Sequence, residues 1–147
     1  MTKKAKIIIV VAVAFVLTAV ASLLMGFGIH AYYNNPLSVS DVYNDEVTTK
    51  TPKSITLYQY LYNPREITSD ETIDQIMGML REVKYERFDD YENYTNHGMR
   101  LVLCYEDETQ AEVYLGTVIR RGNGYRPNGE KASALHTFLW DINRGTP

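Results

Sequence analysis

Cysteine is almost missing from this chain: of 147 residues, only Cys104 carries a thiol. One cysteine excludes an internal disulfide framework and a thiolate metal cluster, leaving a small strand residue or a thiol that pairs with another molecule. Histidine is nearly as scarce. His30, His97 and His136 are far apart and show no paired ligand spacing, so neither a metal site nor a cofactor is predicted. No Asp or Glu precedes Asp41, and no Lys or Arg occurs between Lys6 and Lys50.

That charge-free stretch holds the longest apolar run, "IIIVVAVAFVLTAVASLLMGFGI" at residues 7–29, which also lacks proline. As a helix it is roughly 34 Å long, enough to cross a hydrocarbon core of about 30 Å with some tilt. Ala19-Val20-Ala21 has the small-x-small form that a signal peptidase cuts after. A cleavable signal has an apolar core of only about 7–15 residues and is cut at the polar end of that core. Here a cut after Ala21 leaves Ser22-Leu23-Leu24-Met25 as the new terminus, so the run reads as an uncleaved anchor. Lys3, Lys4 and Lys6 precede it, which places residues 1–6 in the cytoplasm as a short tail and the rest outside. The expected localisation is a single-pass cell-membrane protein held in the bilayer by residues 7–29. Within the run, Ala14, Thr18, Ser22 and Gly26 recur every four residues. A small-residue stripe of this kind lets two helices approach closely, so it is the candidate pairing face for a homodimer or a membrane partner.

The exterior part carries all 18 acidic residues and all but three of the 15 basic ones, a net of −6. That is not the basic footprint of a nucleic-acid binder, and the mean charge argues against a domain lying on an anionic membrane. Residues 30–53 are predicted to be a flexible stalk, since "NNPLSVSDVYNDEVTTKTPK" at 34–53 is polar, has two prolines and shows no sustained period.

The folded unit is expected over 54–147. "SITLYQYLY" (54–62) alternates, with Ile55, Leu57 and Leu61 on one side and Thr56, Tyr58, Tyr60 and Tyr62 on the other. "TSDETIDQIMGMLREVKY" opens with the capping-box pattern Thr68-x-x-Glu71 and continues at helical spacing through Ile73, Ile76, Met77, Leu80 and Val83. Residues 86–98 read as a polar loop. Two strands at 99–106 and 111–121 form a hairpin, a short strand is expected near Tyr125, and "EKASALHTFLWDIN" closes the chain as a helix. The order β-α-β-β-(β)-α predicts an α+β, two-layer sandwich with both helices on one face of a single antiparallel sheet.

The anchor, this element order and "EITSDETIDQIMGMLREVKY" after a first strand resemble small extracytoplasmic domains of Gram-positive bacteria, many of them lipoproteins. The resemblance implies a fold and a location outside the membrane, and transfers no catalytic residues.

Tyrosine is plentiful, with twelve in the chain. The expected sheet face opposite the helices carries Tyr58, Tyr60, Tyr62 and Tyr114 with Val102, Cys104, Glu106, Glu112, Gly116 and Val118. Tyrosine serves recognition because its ring packs while its hydroxyl stays wet. The leading expectation is therefore a non-enzymatic binding or accessory module. An acidic immunity or inhibitor protein is the alternative, and a thiol enzyme using Cys104 with His136 stands behind both. "DDYE" (89–92) and "EDE" (106–108) lack calcium-loop spacing, "RRGNGYR" (120–126) lacks the context of a phosphate loop, and "NYT" (93–95) is a sequon in form.

Overall fold

A computed structural model describes residues 3–60, 62–88, 98–120 and 122–145. The chain divides after Asn35 into a single helix and a compact folded unit. The helix, α1 (Lys3–Asn34), contains one stretch, Ile9–Asn34, long and apolar enough to cross a membrane, with a mean hydropathy of 2.6. That length and position fit a membrane anchor or a signal sequence.

The folded unit begins at Pro36, and this corrects the expected stalk. β1 (Leu37–Ser38), α2 (Val39–Val42) and α3 (Glu46–Thr49) lie inside the region read as flexible. Val39, Val42, Tyr43 and Val47 are buried in the same core as the sheets and the long helices. The polar residues between them misled the reading. They serve the short helices, with Ser38 and Asp41 forming a reciprocal capping box on α2. These hydrogen bonds hold the Asp41 carboxyl below the usual carboxylate range.

The expected single sheet is also corrected: there are two antiparallel sheets of four strands. The first has the order β1-β4-β8-β7, from Leu37–Ser38, Lys84–Phe88, Asn123–Asn128 and Val118–Arg120. The second is β3-β2-β5-β6, from Arg65–Ile67, Ser54–Tyr58, Arg100–Cys104 and Gln110–Tyr114. α4 (Asp70–Glu82) and α5 (Glu130–Arg144) pack on each other, burying Ile73, Ile76, Met77, Leu80, Leu135 and Leu139. Ser69 rather than Thr68 caps α4, accepting from the Thr72 amide.

The strand expected over 111–121 is cut in two because its halves join different sheets. An added Cβ on Gly98 would lie 2.6 Å from the Gly116 Cα, so two backbones meet there at a distance only glycine allows. Beyond that contact the chain leaves the second sheet and starts β7 in the first.

The hydrogen-bond phase of the second sheet follows from its ends. Leu115 N–H donates to Met99 C=O at 2.8 Å and Tyr105 N–H to Thr109 C=O at 3.0 Å. Odd-numbered β5 residues therefore bond to β6, and even-numbered ones to β2. On β6 this turns the peptide groups of Gln110, Glu112 and Tyr114 toward the open edge. At Tyr114 two phenols occupy that edge. Tyr43 Oη accepts from Tyr114 N–H at 2.8 Å and lies 3.1 Å from its carbonyl, while Tyr85 Oη donates to the same carbonyl at 2.9 Å. The two rings meet edge to face at 6.0 Å. Burial pushes the Tyr43 hydroxyl up to about 12 and raises that of Tyr85 as well.

Both phenols titrate near 10 in the unfolded chain and higher in the folded one. Their contribution is therefore complete below pH 10 and is lost as pH rises through the folded values, at about 1.4 kcal/mol per pH unit for each. Urea midpoints measured from pH 8 to 11.5 are expected to fall steeply above 10. Tyr43→Phe leaves the Tyr114 N–H buried without its acceptor, and is expected to lower stability at pH 8 by about 1–3 kcal/mol and to flatten the alkaline fall.

Candidate functional site

The outer face of the second sheet is the only one of the sequence-predicted sites whose side chains the fold gathers, and its membership changes. The register aligns Tyr58, Arg100 and Tyr114 in one row, Thr56, Val102 and Glu112 in the next, and Ser54, Cys104 and Gln110 in the third. Ile55, Leu57, Leu101, Leu103 and Val113 point the other way into the core. Alternation thus places Tyr58, Val102, Cys104, Glu112 and Tyr114 together, as the sequence predicts.

Arg100 organises this face. Its guanidinium lies 4.2 Å from the Tyr58 ring centre, in cation–π geometry, and 3.4 Å from a Glu112 carboxylate oxygen. Glu112 also accepts from the Tyr114 hydroxyl at 2.8 Å. The result is a ridge of four side chains, Tyr58–Arg100–Glu112–Tyr114, beside the apolar Val102. Arg100 and Glu112 retain 33 % and 48 % of their side-chain exposure, so the ridge faces solvent. Such an arrangement presents ring faces, one cation and one carboxylate on the same side of the sheet. Arg100 belonged in the sequence reading: the alternation of Val102 and Cys104 continues back to it.

The remaining expected members lie elsewhere. β2 ends at Tyr58, so Tyr60 and Tyr62 leave the sheet; Leu61 is outside the described residues. Tyr62 N–H donates to Gln59 C=O in a turn, and its ring meets Trp140 of α5 edge to face at 5.8 Å. Tyr60 is 65 % exposed. Glu106 is in the β5–β6 turn, Gly116 touches Gly98, and Val118 is in the other sheet.

Cys104 and His136 are not brought together. Cys104 is half-exposed on the outer face between Ser54 and Gln110, whereas α5 packs into the core through Leu135 and Leu139. His136 lies on the exposed side of that helix, stacked on Trp140 at 6.2 Å. Among the described residues no group of three or more His, Cys, Asp and Glu side chains could hold a metal ion; "DDYE", "NYT" and His97 lie outside those residues. Within "RRGNGYR", Arg120 ends β7 opposite Asn123 of β8 and Gly122 has a φ of 75°, while Arg121 lies outside the described residues. Arg120 is directed to Tyr43, 4.8 Å from its ring centre, and donates to Val42 C=O at 3.2 Å.

On α1, Ala14, Thr18, Ser22 and Gly26 are all exposed. The Thr18 hydroxyl donates to Ala14 C=O and that of Ser22 to Thr18 C=O, each at 2.9 Å. The stripe therefore satisfies its own polar groups, as an apolar surrounding requires.

The exposed ridge contributes little to folding. In a double-mutant cycle of Arg100→Ala and Glu112→Ala, urea unfolding is expected to give a coupling of about 0.2–1 kcal/mol, with each variant still cooperatively folded. No family model, curated protein or solved structure matches the chain.

Proposed function

We propose that this protein is a membrane-anchored extracytoplasmic binding or accessory module whose outer sheet face contacts another membrane or exported protein. The observation that carries this reading is the ridge Tyr58–Arg100–Glu112–Tyr114, a solvent-facing set of aromatic and charged groups. Tyrosine and arginine are the residues that most often supply binding energy at interfaces, because each combines a large packing surface with directed polar groups.

Anchoring rests on the uncharged run at 7–29 and the three lysines before it. Its core is longer than that of a cleaved signal, and its charge asymmetry points the folded unit outward. The resemblance to extracytoplasmic domains of Gram-positive bacteria supports the same location. The stripe Ala14, Thr18, Ser22 and Gly26 gives α1 a smooth face on which a second helix can pack.

Cross-linking in native membranes tests the reading. The wild-type chain is expected to give a discrete cross-linked species that disappears in Tyr58→Ser and Arg100→Ala, while all three chains stay in the carbonate-washed membrane pellet. The same species in all three would move the contact away from this face, and release into the carbonate supernatant would refute the anchor.

A further inference from the structure

We propose that the open edge of β6 pairs reversibly with the same edge of a second copy of this chain, joining their second sheets across a two-fold axis. The inference rests on the hydrogen-bond phase of that sheet. It depends neither on α1 nor on the contact proposed for the tyrosine ridge.

Among the described residues the two sheets end in four edge strands, of which β1, β7 and β3 have only 2, 3 and 3 residues. Short edges are one of the ways proteins keep a strand from pairing further. On β3 the odd-numbered residues Arg65 and Ile67 face β2, so Glu66 alone turns its peptide group outward. β6 has 5 residues and lacks the other protections: "QAEVY" contains neither proline nor lysine. Its one charged group, the Glu112 carboxylate, is already engaged by Arg100 and the Tyr114 hydroxyl. The peptide groups of Gln110 and Glu112 face outward, and among the described residues nothing bonds to their N–H or C=O. Both residues are exposed.

The two ends of this opening determine what fits it. At one end Tyr43 and Tyr85 occupy the peptide unit of Tyr114. At the other, Thr109 C=O accepts from Tyr105 N–H as the chain turns back to β5, and Glu108 in that turn has a φ of 62°. An incoming strand therefore meets two free peptide units, and an antiparallel copy of β6 offers the same two in return. Glu112 opposite the partner's Glu112 would require the Tyr114 peptide, which is taken, and would set like charges face to face. Gln110 opposite the partner's Gln110 would require Glu108, which is in the turn. Gln110 opposite the partner's Glu112 uses every free group and makes four N–H···O bonds.

The side chains suit that register. On the outer face each Glu112 carboxylate meets the partner's Gln110 amide. On the inner face Ala111 meets the partner's Ala111 at the axis, a non-hydrogen-bonded position where Cα atoms approach to about 4.5 Å and a small side chain is needed. Each chain turns away at Thr109, where the other's Tyr43 begins to cover the strand. The contact is isologous, so it closes at two copies.

The test uses the full chain in detergent micelles, in a Cys104→Ser background, with single cysteines oxidised by copper phenanthroline. Ala111→Cys is expected to form a disulfide-linked dimer. Gln110→Cys alone and Glu112→Cys alone would hold their equivalent Cα atoms roughly 8 Å apart, beyond disulfide reach, and are expected to give at least fivefold less. Mixing those two variants should restore cross-linking. Sedimentation equilibrium adds a measurement that does not depend on Ala111: Gln110→Glu is expected to raise the dimer dissociation constant at least threefold, and Gln110→Lys to lower it at least threefold. The Glu112 amide, open in the monomer, should gain protection from hydrogen exchange as protein concentration rises. Equal cross-linking at all three positions, as pairing through α1 alone would give, overturns the proposal. So does a dissociation constant indifferent to both charge variants, or Glu112 exchange independent of concentration.

Discussion

The peptide unit of Tyr114 stands at the open edge of β6, half-buried beneath two buried phenol rings, where an N–H or C=O left without a partner would be costly. Two phenols remove that cost. Tyr43 comes from the segment that follows α1 in sequence, and Tyr85 from β4 of the other sheet. One peptide unit thereby joins three parts of the chain that are distant in sequence. The same contact closes the end of an edge strand that would otherwise be a template for further pairing. Burial of the two rings also makes the arrangement sensitive to alkali, since a phenolate there would be desolvated and neither oxygen could then donate to the Tyr114 carbonyl.

Much of the remaining architecture depends on that junction. With Tyr43 held, the segment from Pro36 to Lys50 lies against the domain, and its carbonyls are met by side chains from three other elements. Arg120 reaches Val42, Arg81 reaches Thr48 and the Tyr105 hydroxyl reaches Glu46. Val39, Val42 and Val47 add apolar burial to these polar contacts. The domain's two sheets differ in their outward side chains, one carrying the Glu86–Arg126 pair and an exposed Ile119, the other a tyrosine–arginine–glutamate ridge.

The parts of this fold legible in the sequence are those with local periodicity. Ile73, Ile76, Met77 and Leu80 announce α4 because helix spacing alone puts them on one side, and alternation through Ile55 and Leu57 announces β2 in the same way. The outer-face register was legible too, since period two is enough to align Tyr58, Val102, Glu112 and Tyr114. What escaped were features set by long-range partners. Val39, Val42, Tyr43 and Val47 are apolar residues spaced among polar ones, and only Tyr114 and Arg120, more than seventy positions later, explain why they are ordered. The division into two sheets depends on Gly98 meeting Gly116. Neither glycine has a neighbour in sequence that hints at the other. Tyr60 and Tyr62 continue the alternation of β2 in letters, yet the chain turns at Gln59 and packs Tyr62 on Trp140.

Amide hydrogen exchange at Tyr114 tests the junction most directly, with Glu112 on the same strand edge as its internal reference. The Tyr114 N–H, bonded to a buried phenol, is predicted to exchange only through global unfolding, with the protection of the core strands. The Glu112 N–H, which faces the same edge without that cover, is predicted to exchange orders of magnitude faster. Equal, rapid exchange at both positions would show that Tyr43 does not hold the strand edge, and would contradict the account of how the segment from Pro36 to Lys50 is joined to the two sheets.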